Sequence, residues 1–388
     1  MRTVHLAALA ATVSSLLVAQ PSRPKVLGRP IQEGAEPFSG ILDVRETETG
    51  ALIVLDAKDN LIYHVPANME TATKVSREGS GPLEYRRIMS LIRRGADSTL
   101  AYDVLNARFL VIDGKGAPRG TISLRDAAGG MPVGPAQVRG YDREGRLYFQ
   151  GIKVSMGKAG PAVSDTTYIL RLDPRSKRTD TLGIARMGMP GMKMSGDMQK
   201  GTGNVALTMP AFPSVDEWAL MPNGQVLLVR GANYQMEMLG GAEAVRRLPP
   251  VPYAAVKVTA ADKTKMREQL KQAQTEVKKA AASAASAVGA RGPMPGMAML
   301  EPDVWPTVKP AFGQGALKVA PDGEIWVQLH RDAALEKALY DVFSPDGKLK
   351  FRVELPDKSS LVGFGAQSIY VARKDEDDLQ YLGRYARP

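Results

Sequence analysis

The chain has 388 residues, 44% of them hydrophobic and 24% charged, which is enough apolar material for a core and too much for a disordered chain. Lys and Arg number 51 against 41 Asp and Glu, and this net charge of +10 is spread along the chain rather than gathered as in a nucleic-acid footprint. Cys is absent and His occurs three times, at His5, His64 and His330, which excludes disulfides, thiolate metal sites, iron–sulfur clusters and a Cys nucleophile.

Residues 1–19 read as a secretory signal. Arg2 supplies the positive start, Leu6 to Ala19 is apolar apart from Thr and Ser, and Leu17, Val18 and Ala19 suit cleavage before Gln20. The stretch falls short of the roughly 20 residues of a spanning helix. No later window holds 18 apolar residues in a row. The expectation is a soluble protein exported to the periplasm or the medium, without a transmembrane segment. Residues 20–37, rich in Pro and polar residues, are expected to form a loose lead-in.

From Phe38 onward a unit recurs. An apolar alternating run is followed by a turn with Gly or Asn, a second run rich in Val, Ile, Leu and Tyr, and then a third. The second runs are the clearest: Ala51 to Asp56, Thr99 to Asp103, Arg146 to Gln150, Gln225 to Arg230, Glu324 to Gln328 and Ser368 to Ala372. Period-two alternation makes half-buried strands, and Asn-Gly and Asp-Gly turns close hairpins. One small meander cannot bury both of its faces. Copies of roughly 40 to 50 residues packed radially can, and a ring removes long exposed edges. Six copies predict an all-β fold, a six-bladed β-propeller over residues 38–388.

Two stretches break the rhythm. Residues 187–198 hold Gly188, Pro190, Gly191 and Gly196 and are expected to be a Met-rich loop. Residues 259–289 are full of helix formers, with Thr259 as the cap and Met266, Leu270, Ala273 and Val277 as one apolar stripe. They predict a basic helical insertion between the fourth and fifth blades, lying across one face of the propeller as a lid.

The segment Arg77 to Tyr85 resembles the Gly-x-Gly-Pro-Gly-Glu-Phe segment of exported six-bladed propellers related to NHL-repeat and TolB-like proteins, with Leu83 in place of a Gly. Pro321 to Val327, Tyr340 to Gly347 and the ending Asp375 to Tyr385 are similar to the same family. The resemblance covers Phe38 to the C-terminus apart from the two insertions. It implies the fold and little about function, since such propellers include both binders and hydrolases.

Met187, Met189, Met192, Met194 and Met198 are the most unusual cluster, and Met294, Met297 and Met299 follow in what is expected to be a second loop. Thioethers are soft ligands that select Cu(I), and the run is similar to the methionine-rich segments of exported copper-handling proteins. Packing over a propeller face is the alternative use of such flexible apolar side chains. Gly79 to Tyr85 lacks the helix and Lys of a phosphate loop and reads as an inter-blade turn. Arg86, Arg87, Arg93 and Arg94 read as solvated strand ends. Asp43, Asp56, Asp103, Asp113, Asp142 and Asp173 recur at strand ends and read mostly as turn residues. Lactonase-like propellers hold a divalent metal with Glu, Asn and Asp at the channel, and no Asn pair stands at matching blade positions. His64 alternates within a strand and reads as a surface or interface residue. The expectation is therefore a non-enzymatic binding or scaffold propeller, monomeric and without a cofactor, its ligand or protein partner open. A metal-dependent, lactonase-like hydrolase is the alternative, and Cu(I) binding by the five methionines a further one.

Overall fold

The first repeat illustrates how this sequence makes sheets. Ile41–Glu46, Leu52–Asp56 and Leu61–Val65 pair antiparallel in order, and Thr73–Lys74 adds a short outer strand. Gly50 in the first turn has φ of 78°, a left-handed value that a side chain resists. Leu52–Asp56 is buried along its whole length because neighbours cover both faces. The computed structural model describes residues 23–388 apart from 96, 129–136, 152–153, 158–159, 189–190, 196–203, 288–295 and 336.

The fold is all-β, with few helices, and its sheets have a propeller arrangement. The second meander runs Ile88–Arg94, Ser98–Asp103, Arg108–Ile112 and Pro118–Ser123. The third runs Gln137–Tyr141, Leu147–Gln150, Thr166–Asp173 and Arg178–Arg186. The next is Glu217–Leu220, Val226–Arg230, Gln235–Leu239 and Val245–Arg247. Then come Leu317–Val319, Ile325–Leu329, Lys337–Phe343 and Leu349–Asp357. Last are Ser359–Phe364, Ser368–Lys374 and Gln380–Ala386. Val44 and Arg45 pair in parallel with Gly363 and Phe364, so the last meander and the first, with Gln32–Glu33 on the outer edge of the last strand, form one eight-stranded sheet.

The core lies between neighbouring sheets. Leu100 and Phe109 of the second meander pack with Leu147 and Phe149 of the third. Tyr148 and Ile169 of the third pack with Trp218 and Leu228 of the next. Apolar contacts of this kind supply most of the driving force, at about 25 cal/mol per Å² of apolar surface removed from water.

The lead-in is not loose where it is described. Lys25–Val26 pairs in parallel with Leu349–Asp357, and Gln32–Glu33 pairs antiparallel with the last strand. Outer strands there offer unpaired backbone groups, and the lead-in satisfies them. The segment 187–198 is likewise not a loop throughout. Gly191–Ser195 is a strand that pairs with Asn204–Thr208, which pairs in parallel with Gly296–Leu300, so Met297 and Met299 lie in a strand and not in a second loop.

A long helix spans Ala260–Ala287. Its start is a reciprocal cap: the Asp262 amide donates to Thr259 Oγ1 at 3.3 Å, and the Thr259 amide donates to Asp262 Oδ2 at 2.8 Å. Met266, Leu270, Ala273 and Val277, the expected stripe, are all half-buried. The Met299 amide donates to Gln274 Oε1 at 2.6 Å, so the helix covers the edge of Gly296–Leu300. No helix among the described residues is long and apolar enough to cross a membrane.

Candidate functional site

The first strand of each meander lies innermost, and its polar side chains tie one sheet to the next. Glu217 opens its strand and is buried. Its Oε1 accepts the Gly315 amide at 2.7 Å, and Arg139 Nη1 donates to its Oε2 at 3.3 Å and to the Trp218 carbonyl at 3.2 Å. One carboxylate thus joins three meanders. Burial pushes its pKa up, against the pull of Arg139 and the Gly315 amide. Asp43 Oδ2 accepts the Leu91 amide at 3.2 Å across two meanders. Burial raises its pKa as well, with Lys318 the strongest opposing charge. Arg45 donates to Thr99 Oγ1, and burial lowers its pKa to about 10.

Of the six recurring aspartates, Asp43 is therefore the exception. Asp56 accepts the Ser39 amide at 2.7 Å, and Asp103 accepts the amides of Arg86 and Arg87 at 3.1 and 3.0 Å. Asp113, Asp142 and Asp173 each accept amides of the turns that follow them. Among the described residues no three His, Asp or Glu side chains converge on a metal position.

The other sequence candidates separate. In the Gly79 to Tyr85 turn the Glu84 carboxylate accepts the Gly81 amide at 2.9 Å, so that amide is taken by the chain's own side chain, as in an inter-blade turn. Arg86 and Arg87 precede the strand and are exposed. Arg93 is exposed too, whereas Arg94 lies over the Tyr141 ring at 5.9 Å. His64 is half-buried, and its Nε2 has no hydrogen-bond partner among the described residues. Met187 follows the strand Arg178–Arg186, and Met192 and Met194 lie in Gly191–Ser195. Met189 and Met198 lie outside the described residues.

A cleft of about 360 Å³ separates the start of the long helix from the loop between Ile325–Leu329 and Lys337–Phe343. Lys309 makes the join. Its ammonium lies 2.5 Å from Asp262 Oδ1 and donates to the Arg331 carbonyl at 2.6 Å. The Phe212 ring lies 5.1 Å away. Lys309 is 3% exposed and Asp262 5%. Burial by itself would raise the Asp262 pKa. The Lys309 ammonium and the Thr259 amide and hydroxyl more than offset it and hold the carboxyl below its usual range.

His330 forms the opposite wall. A carbonyl can only accept, so the 2.9 Å contact with the Pro310 carbonyl places a proton on Nδ1. Burial, helped by the Lys309 charge, lowers the His330 pKa and favours the neutral ring. Its Nε2 then carries a lone pair. Phe212 meets the ring edge to face at 5.7 Å. A Cβ at Gly313 would come within 2.9 Å of Nε2, so a larger residue there would have to displace the ring. Beyond the His330 to Leu335 segment lies a second cavity of about 320 Å³.

Four cationic side chains line the cleft, three of them in ion pairs. Lys265, Lys309, Arg331 and Lys337 line it against Asp262 and Asp332. Arg331 pairs with Glu354 at 2.7 Å, and Lys337 lies 3.6 Å from the same carboxylate. Lys265 is exposed at the mouth and has no ion-pair partner among the described residues. Sequence reasoning did not reach this site. The cap at Thr259 and Asp262 was the one available signal, and nothing in the sequence near Lys309 marks it as the partner of Asp262.

No protein-family model matches the sequence, and no curated relative does. Solved structures do resemble it. A protein of Bacteroides fragilis, provisionally assigned as exported, has 10% identity and a TM-score of 0.47, covering 93% of this chain and 95% of its own. A gluconolactonase from Xanthomonas campestris has 10% identity and a TM-score of 0.42, covering 94% and 99%. The β-propeller domain of Cps50 (Swd1) from Myceliophteria thermophila has 10% identity and a TM-score of 0.40, covering 91% and 100%. Likenesses of this size carry no substrate or reaction over to this chain.

Proposed function

We propose that this chain is an exported, non-enzymatic binding propeller of six blades, and that it takes a small organic anion in the cleft beneath its helix. The blade count rests on the apolar clusters. Each meander shares one with the meander before it and one with the meander after it, and the last shares one with the first. The eight-stranded sheet then counts as two neighbouring blades. The helical segment is an insertion between the fourth and fifth, lying as a lid over the rim.

The single observation that carries the ligand reading is the cation-rich cleft itself, of a size that accepts a small molecule. The Lys309–Asp262 pair and the Arg331–Glu354 pair fix its walls and leave the Lys265 ammonium for an anion. Loops held by a rigid scaffold are where folds place recognition. The inner-strand carboxylates Asp43 and Glu217 are engaged by backbone amides from neighbouring sheets, which favours a structural role for them over the metal-holding role of a lactonase-like enzyme.

The test is a thermal-shift screen of the whole chain against small carboxylates, sugar acids and phosphoesters, beside a turnover assay on lactones and phosphoesters. The expected result is a stabilising anion that Lys265→Ser weakens about tenfold, with no turnover. Sustained hydrolysis, or a stabilising ligand insensitive to Lys265→Ser, overturns the proposal.

A further inference from the structure

The second cavity, of about 320 Å³, has the segment 253–256, Pro310 and the strand Lys337–Phe343 in its walls. Its lining is mostly apolar, with Tyr253, Val256, Pro310, Leu335 and Leu339 prominent. One cation in that lining is fixed from behind. Arg352 stands opposite Asp341 in the sheet, and its Nε donates to Asp341 Oδ1 at 2.6 Å. Asp341 is fully buried, and the Tyr234 hydroxyl donates to its Oδ2 at 3.0 Å. The Arg352 side chain is 14% exposed, and its Nη1 and Nη2 have no hydrogen-bond partner among the described residues. Four of the five N–H donors of a planar guanidinium are thus held in place without a protein acceptor. The other polar groups of the lining are engaged. Arg331 pairs with Glu354 at 2.7 Å, Asp332 Oδ1 accepts the Ala334 amide at 3.0 Å, and His330 is tied to the Pro310 carbonyl at 2.9 Å.

We propose that this cavity binds a small amphipathic carboxylate. Its alkyl or aryl body lies against Tyr253, Leu335 and Leu339, and its two oxygens accept from Nη1 and Nη2 of Arg352. A guanidinium meets a carboxylate through two parallel bonds, and a charge-assisted pair of this kind is stronger than a neutral one. An apolar lining with one placed polar group is the usual build of a small-molecule site. The site is separate from the cleft beneath the helix. Lys265 and Lys309 line that cleft and not this cavity, and Arg352 lines this cavity and not that cleft. Hydrophilic anions suit the cleft, whereas this cavity selects for an apolar body. The inference does not depend on the anion cleft.

The experiment is equilibrium dialysis of the full chain against radiolabelled octanoate, with unlabelled butyrate, hexanoate and octanol as competitors. The expected result is one octanoate per chain, with affinity rising about fourfold for each methylene from butyrate to octanoate. Octanol, which lacks the carboxylate, competes about tenfold less well than unlabelled octanoate. Arg352→Lys keeps a cation beside Asp341 but removes the planar fork, and weakens octanoate about tenfold. Tyr253→Ser, at an exposed position, weakens it about fivefold and is the deciding variant if Arg352→Lys lowers the melting temperature of the free chain. Absence of octanoate binding, equal competition by octanol, or affinity that does not change with chain length overturns the proposal. So does wild-type affinity in Tyr253→Ser. A loss of octanoate in Lys265→Ser that neither of the other variants shows places the carboxylate in the cleft and overturns it too.

Discussion

Lys309 carries a charge where a charge is costly, and three partners offset the cost: the Asp262 carboxylate, the Arg331 carbonyl and the Phe212 ring. Removing one member of a buried pair strands the other, at about 3–5 kcal/mol, whereas removing both charges is often nearly neutral. Lys309→Met is therefore expected to lower the unfolding free energy by about 3 kcal/mol in urea titrations. Adding Asp262→Asn, which keeps an oxygen for the helix cap, should recover more than half of the loss. A double variant as unstable as the single one would mean that Lys309 acts by filling space rather than by pairing. Glu217 illustrates the same chemistry at the innermost strands, where one buried carboxylate accepts from two meanders beside its own.

At the scale of elements, the strands were legible and their company was not. Leu52–Asp56, Val226–Arg230 and Ile325–Leu329 follow from alternation between Gly-bearing turns, because both are local properties of the chain. The helix was legible for the same reason, from its formers and its cap. The strand Gly191–Ser195 was not, since its Gly and Met content reads as a loop and its partners Asn204–Thr208 and Gly296–Leu300 come later in the chain. The cleft was hidden for a similar reason. Lys309 and His330 meet the helix start only after the chain has completed the helix and another strand.

That meeting also gives the helix attachment a pH dependence. His330 is held neutral, with its pKa below the ordinary value, so the unfolded chain takes the proton more readily. The stability this confers is complete above about pH 6.5 and is lost as the pH falls through that value toward the folded pKa. Asp262, also depressed, adds a loss at lower pH. The melting temperature should therefore fall between pH 7.5 and 5.5, and by less in His330→Phe than in the wild type. His64, depressed too, should supply part of the remaining slope. An equal slope in His330→Phe would place the acid sensitivity elsewhere.

At the scale of the whole molecule, the lead-in and the last strand close on the first meander. Gln32–Glu33 lies on the last strand, and Arg384 of that strand donates to Gln32 Oε1 at 3.0 Å, to the Ala67 carbonyl at 3.1 Å and to the Gly50 carbonyl at 3.0 Å. One side chain thus ties the lead-in, the last meander and the first. A scaffold tied together at this seam can carry a helix and a loop at its rim without yielding its core, and the proposed function uses that rim. The measurement that tests this most directly is hydrogen–deuterium exchange of the full chain with and without the stabilising anion from the screen. The account predicts slower exchange at 259–270 and 328–338, the two walls of the cleft. Slowing confined to the turns at 320–324 and 344–348, or none at either wall, would contradict it.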